Sequence, residues 1–223
     1  MRLAVDLYGT RLGTLTGTER DFDLVLSDQA YQRFGVNSDV FSLAVPLVPR
    51  PRRDHAERRR NWFRESLPEG DVRACMLANA GLRDGETLSF LARYGRDFAG
   101  ALQIWDLDDP TEPRTPELRA LTDADVSSLL QNRVTHPLAN DPLLGKSSLG
   151  GVQPRIVLVK TESGWAQALA GHPSTHILKP QLSGHYSNVI LDEEYGSRLA
   201  RKMRLALHAT EVRQFGGTQA LVI

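Results

Sequence analysis

The sequence has little of several features whose scarcity narrows the possible functions. Its 223 residues include a single cysteine, Cys75, so an internal disulfide is excluded. No apolar run approaches the roughly 20 residues that a membrane-spanning helix needs, and the first residues lack the apolar core of a signal peptide. Positive and negative side chains balance at 27 each, which argues against a broad electrostatic surface for nucleic acid. We therefore expect a soluble cytoplasmic protein without a membrane partner.

Lysine is also rare, because arginine supplies 23 of the 27 cationic side chains. One of the four lysines, Lys179, stands at the end of the apolar stretch Thr175–Pro180. A compact ammonium in this place suits a charged ligand, but it equally suits a strand-end lysine that extends its head group into solvent. Residue type alone leaves both interpretations open.

The order of apolar and turn residues predicts an α+β protein with two parts. Strand-like alternation and then helical periodicity predict a small α/β domain over residues 1–105. An acidic, proline-punctuated connector, a helix capped at Thr122 and a mobile loop are expected over residues 106–148. Residues 149–223 are expected to form a five-stranded antiparallel sheet with one helix.

Two further details of this prediction concern single elements. Val40–Val45 is apolar enough to predict a strand in the first domain. In the predicted helix over about residues 192–205, Tyr195, Leu199 and Met203 share one face, so we expect that face to lie on the sheet.

The glycine pair Gly150-Gly151 is the feature most suggestive of chemistry. Glycines let backbone amides approach phosphate oxygens closely, and Lys179 on a neighbouring strand can neutralise their charge. A carboxylate on the following helix, Glu193 or Glu194, can orient that lysine. The alternative is an ordinary glycine-containing turn of an antiparallel sheet.

Two other motifs carry less weight. Gly145-Lys146-Ser147 ends like a phosphate-binding loop, but the first glycine, the preceding strand and the following helix are missing. The tract from Arg50 to Arg64 holds seven arginines against Asp54 and Glu57. It suits either a phosphate-binding or partner-docking patch, or a solvated surface, and we favour the solvated surface.

Several separated segments, taken in order, resemble the HipA family, the serine/threonine kinase toxins of HipBA toxin–antitoxin systems. The segments are Leu67-Pro68-Glu69-Gly70, Tyr94-Gly95-Arg96-Asp97-Phe98-Ala99-Gly100-Ala101, Ser148-Leu149-Gly150-Gly151-Val152-Gln153, Thr175-His176-Ile177-Leu178-Lys179-Pro180 and Glu194-Tyr195. The resemblance extends over essentially the whole chain. It implies the family's N-terminal domain followed by the N-lobe of its kinase domain.

The resemblance also implies roles for individual residues. The nucleotide-binding residues would be Gly150, Gly151, Val152, Gln153 and Lys179, with ATP and Mg²⁺ as cofactors. Glu194 would orient the lysine, and Ser148 would be the autophosphorylated serine that silences the kinase. Implied partners are a HipB-like helix-turn-helix antitoxin, DNA only through that antitoxin, and a protein substrate such as an aminoacyl-tRNA synthetase.

Kinase chemistry also needs a catalytic aspartate, an asparagine and a metal-binding aspartate from a second lobe. We assign no catalytic and no metal-binding residue to this chain, and we expect the magnesium ligands in a lobe beyond it. The chain is accordingly expected to be an inactive N-terminal portion of a kinase that causes growth arrest and persistence. The alternative is a non-catalytic regulatory module that partners a separate kinase or antitoxin chain.

Overall fold

The computed structural model describes residues 1–133 and 135–223. The strands are β1 (Arg2–Leu7), β2 (Thr10–Gly17), β3 (Phe22–Leu26), β4 (Asp97–Phe98), β5 (Leu102–Asp106), β6 (Glu117–Leu121), β7 (Ser147–Ser148), β8 (Ile156–Thr161), β9 (Gly164–Leu169), β10 (His176–Pro180), β11 (Glu211–Phe215) and β12 (Thr218–Val222). The α-helices are α1 (Asp28–Phe34), α2 (Ala56–Glu65), α3 (Gly70–Ala80), α4 (Thr87–Tyr94), α5 (Asp123–Gln131) and α6 (Val189–Lys202). The α+β class is confirmed.

The chain divides into two compact units that differ from the predicted domain boundaries. The first unit contains Met1–Pro116, Lys146–Val152 and Ala170–Pro173. The second contains Glu117–Gly145, Gln153–Leu169 and Ser174–Ile223. The predicted connector is therefore shared between the units, because its β6 pairs with β9 while β7 at its end pairs with β4.

The first unit is built on a six-stranded sheet in the order β3-β2-β1-β5-β4-β7. Neighbouring strands are antiparallel except β4 and β7, which run parallel. Leu3 and Val5 lie two residues apart on β1 and are fully buried, as are Phe63 of α2 and Leu91 of α4. Burial of these side chains supplies the main stabilisation of the unit.

The expected strand at Val40–Val45 is wrong, since these residues form turns. The backbone N–H groups of Val40 and Ala44 donate to the hydroxyls of Ser38 and Ser42, at 3.2 and 3.1 Å. Serine side chains thus give the backbone local partners that compete with sheet pairing.

The second unit holds a six-stranded antiparallel sheet in the order β11-β12-β10-β8-β9-β6. The prediction of five strands was one short, because β6 comes from the predicted connector. Helix α5 begins after Thr122 with the predicted cap, and its buried Val126 and Leu130 pack in one cluster with Leu158 and Phe215 of the sheet. This helix covers the apolar core of the second unit.

Helix α6 does not bury its apolar stripe, contrary to expectation. Tyr195, Leu199 and Met203 are 63%, 49% and 60% exposed. Ile190 is the buried residue of the helix. Periodicity predicted an apolar face correctly, but α5 occupies the core and leaves the stripe of α6 in solvent.

The predicted loop over residues 132–148 is irregular apart from β7, and its Val134 lies outside the described residues. Residues 137–140 and 145–148 are nevertheless buried. Among the residues described, no helix is long and apolar enough to cross a membrane. The longest, α6, has 14 residues.

The imidazole of His176 on β10 predicts how the stability of the second unit depends on pH. Burial lowers its pKa from the ordinary value, and the nearby ammonium of Lys160 lowers it further, while Glu211 opposes the shift. The unfolded chain therefore takes up a proton at higher pH than the folded chain, so stability falls as the pH drops below about 6.5. We expect the thermal unfolding midpoint to fall more between about pH 7 and pH 5.5 for the wild type than for His176→Gln. An equal or smaller fall in the wild type would contradict this assignment.

Candidate nucleotide-binding residues

Lys179 lies on β10, a strand inside the sheet of the second unit, between β8 and β12. Its ammonium donates a close hydrogen bond to Oε1 of Glu193 on α6. The two side chains are 13% and 30% exposed, so the ion pair is shielded but open to solvent on one side. A lysine on a sheet is thereby fixed by a carboxylate on the following helix.

The carboxylate that contacts Lys179 is Glu193, and the expected role of Glu194 is wrong. Successive residues on an α-helix point about 100° apart, so the two carboxylates cannot both face the same strand. Glu194 instead pairs with Arg198, one turn further along α6, at 3.4 Å.

The predicted phosphate loop begins in the first unit. Gly151 forms a parallel bridge with Pro68, and Gly150 lies where a Cβ would be 3.2 Å from the carbonyl oxygen of Ser66. Gly151 has a φ of 115°, a conformation that favours glycine. The backbone segments close to the two glycines, at Ser66 and Pro68, belong to the same unit. Val152 is 70% exposed.

Gln153, the last residue of the predicted loop, lies in the second unit. Its side chain is half-buried, and its Nε2 atom has no hydrogen-bond partner among the described residues. Its carbonyl accepts a hydrogen bond from Nε of Arg155 at 3.0 Å. Gln153 and Lys179 thus share a unit, whereas Gly150, Gly151 and Val152 belong to the other.

Ser148 lies on β7 and is 1% exposed. It pairs with Phe98 of β4, and its hydroxyl has no hydrogen-bond partner among the residues described. The preceding Ser147 donates to Oδ2 of Asp97 at 2.6 Å. The backbone N–H of Asp97 donates to the carbonyl of Lys146 at 3.2 Å, so both contacts tie the short strand to β4.

A buried ionic cluster anchors the segment that leads into β7. The carboxylate of Glu112 is 2% exposed and lies 2.9 Å from the ammonium of Lys146. Two guanidinium groups, from Arg96 and Arg114, each lie 3.7 Å from the same carboxylate. Burial lowers the pKa of Lys146, and the contact with Glu112 opposes that shift. The Gly-Lys-Ser motif is thus a structural anchor, and β7 rather than a helix follows it.

Gly171 completes the packing around this cluster. A Cβ at this position would lie 2.6 Å from Nε of Arg96, and the residue has a φ of 86°. The guanidinium of Arg96 also stacks 4.7 Å from the centre of the Trp105 ring. The arginine is therefore enclosed by backbone, aromatic ring and carboxylate.

Comparisons with known proteins identify the first part of the chain. The family model described as HipA N-terminal domain matches residues 3–105. The chain is 29% identical over 172 residues to the putative kinase Y4mE of Sinorhizobium fredii, covering 74% of this chain and 40% of that protein. It is 25% identical over 159 residues to the serine/threonine-protein kinase toxin HipA of Shewanella oneidensis, covering 70% and 35%. The first part of the chain is therefore similar to the HipA N-terminal domain, and most of the chain is similar in sequence to HipA-type kinases.

A solved structure shows the same fold. It is the HipA chain in a complex of Shewanella oneidensis HipA, HipB and operator DNA, with a TM-score of 0.70 and 22% identity. The match covers 99% of this chain and 49% of that HipA chain. The chain therefore spans about two fifths of the length of the curated relatives and about half of the solved HipA chain.

Sequence reasoning missed the central residue of the ionic cluster. Glu112 was counted as part of an acidic connector, whose composition is typical of exposed linkers. The signal available was the scarcity of lysine, since Lys146 is one of only four. A lysine at the start of a buried stretch calls for a carboxylate partner.

Replacement of Glu112 tests the importance of the cluster. We expect Glu112→Ala to lower the free energy of unfolding of the first unit by about 3 kcal/mol, because it leaves buried cations without their counter-charge. Urea unfolding followed by tryptophan fluorescence measures the change. Asp108→Ala removes an exposed pair with Arg2 and serves as the control, which we expect to unfold like the wild type. Equal midpoints for the two variants would show that the cluster does not stabilise the fold.

Proposed function

We propose that the chain is the N-terminal portion of a cytoplasmic, ATP-dependent serine/threonine protein kinase toxin that causes growth arrest and persistence. The observation that carries this proposal is the ion pair between Lys179 on β10 and Glu193 on α6. Protein kinases use such a lysine, held by a helix carboxylate, to bind nucleotide phosphates. The names of both curated relatives, a putative kinase and a kinase toxin, support the same activity.

The chemistry of Lys179 fits ATP. An ammonium has three N–H donors, and Glu193 takes one of them. The other two donors remain for phosphate oxygens on the partly exposed side of the pair. Gln153, with an unpaired Nε2 in the same unit, would add a neutral donor.

Magnesium would balance the phosphate charge during transfer. Among the described residues, no group of three His, Cys, Asp or Glu side chains is arranged to hold a metal ion. We therefore place the magnesium ligands, the catalytic aspartate and the asparagine in the part of the relatives that this chain does not span. In this proposal residues 1–223 bind and orient ATP but transfer no phosphate alone.

Ser148 would be the site at which the kinase silences itself. Its hydroxyl is buried, so β7 has to leave β4 before a phosphate can be added. The phosphate would bring about two negative charges close to Asp97, which contacts the neighbouring Ser147, and repulsion would keep the strand from returning. Mass spectrometry of the peptide containing Ser148, after the complete polypeptide has been incubated with ATP and Mg²⁺, tests this step. Loss of kinase activity during the incubation while Ser148 stays unmodified would exclude it.

The proposed partner is a HipB-like antitoxin that carries the DNA binding. Support comes from the solved HipA chain of the same fold, which was determined together with HipB and operator DNA. The balanced charge of this chain agrees with indirect rather than direct contact with DNA. The substrate we propose for the complete kinase is another protein, such as an aminoacyl-tRNA synthetase.

Substitution of Lys179 in the complete natural polypeptide tests the kinase. We expect Lys179→Ala to lower transfer of labelled γ-phosphate from ATP by at least about 100-fold, because charge stabilisation at the phosphates is lost. Glu193→Gln should lower transfer as well, because the lysine loses its ionic partner. Glu194→Gln is the matched control on the adjacent position and should retain activity.

Two results would go against this assignment. Unchanged phosphate transfer by Lys179→Ala would show that the lysine does not contribute to the nucleotide site. A wild-type polypeptide that neither binds ATP nor transfers phosphate would favour the alternative, a non-catalytic module that partners another kinase or an antitoxin.

A further inference from the structure

The first unit contains a groove of about 310 Å³ that the proposed kinase chemistry does not use. Its walls come from β3, from the turns that replace the expected strand, and from the start of α2. We call it the arginine-rimmed groove, and it is lined by Leu24, Leu26, Leu43, Val45, Arg50 and Arg58, among others. Its volume falls in the range of pockets that hold a small ligand or a few side chains.

The floor of the groove is apolar. Leu24 and Leu26 lie two residues apart on β3 and so point to the same face of the sheet. Val45 is nearly fully buried beside them, whereas Leu43 at the rim is 84% exposed. An exposed leucine at the mouth of an apolar cleft indicates a surface that gains from contact with another apolar group.

The rim of the groove is positively charged. Residues 50–60 contain six arginines against Asp54 and Glu57. Arg59 is committed to Asp23 through two hydrogen bonds of 2.6 Å, and Arg52 is paired with Asp54. No ion pair is found for Arg50 or Arg58 within the part of the chain that the structure describes, so their charges face the groove uncompensated.

We propose that the arginine-rimmed groove binds a linear acidic segment of a partner protein that inserts leucine-like side chains. The apolar floor of Leu24, Leu26 and Val45 would receive those side chains, and Arg50 and Arg58 would hold carboxylates beside them. A nucleic acid strand is the weaker candidate, because phosphates and sugars gain nothing from an aliphatic floor. The site is remote in sequence from Lys179 and needs no nucleotide.

The test uses the full-length polypeptide and a fluorescein-labelled peptide, Glu-Asp-Leu-Leu-Asp-Glu, measured by fluorescence anisotropy. We expect saturable binding with a Kd below about 1 mM that weakens as salt is added. The double variant Arg50→Glu/Arg58→Glu should weaken binding at least about 10-fold, and Leu43→Ser should weaken it several-fold. Because Arg50, Arg58 and Leu43 are exposed, these substitutions leave the core intact.

Controls separate the proposed site from general charge attraction. Arg20→Glu reverses an exposed arginine that does not line the groove and should bind the peptide like the wild type. A peptide with serines in place of the leucines should bind at least about 10-fold more weakly than the probe. The proposal is overturned if the probe does not bind, if the serine peptide binds as tightly as the probe, or if Arg20→Glu weakens binding as much as Arg50→Glu/Arg58→Glu does. It is also overturned if oligothymidylate displaces the probe at lower concentration than the unlabelled peptide does.

Discussion

The first unit depends on one buried carboxylate. Glu112 balances the charges of Lys146 and Arg96, neither of which could be buried so deeply without a counter-charge, and it also lies 3.7 Å from the partly exposed Arg114. The cluster joins the loop after α4, the acidic connector and the segment that leads into β7. Three stretches separated in sequence thus meet at one carboxylate, and one of them leads into β7, where Ser148 is buried.

The second unit separates its core from its candidate site. Helix α5 fills the apolar face of the sheet, so α6 contributes little to the core beyond Ile190. The contact that links the polar side of α6 to the sheet is the pair between Lys179 and Glu193. Lys179, which is proposed to bind ATP, therefore also helps to hold α6 against the sheet through Glu193.

Elements were predicted correctly where the local residue pattern matches the place of the element in the folded unit. The end of the apolar stretch at Lys179 and the cap at Thr122 both mark elements that the structure contains. Strand β6 was missed because Glu117–Leu121 directly follows the proline-punctuated connector and is almost wholly exposed. Which of Glu193 and Glu194 contacts Lys179 depends on the rotation of α6 about its axis, which the sequence does not specify. The apolar stripe of α6 was predicted correctly, but its periodicity does not show whether the sheet or solvent lies against it.

The path of the chain between the units has a consequence for protein engineering. The chain passes from one unit to the other five times, after Pro116, Gly145, Val152, Leu169 and Pro173. Neither unit is therefore encoded by one continuous stretch of gene. A fragment ending at residue 105 would lack Glu112 and β7, and a fusion joined at residue 149 would lack β6 and α5, so neither piece inherits a complete sheet.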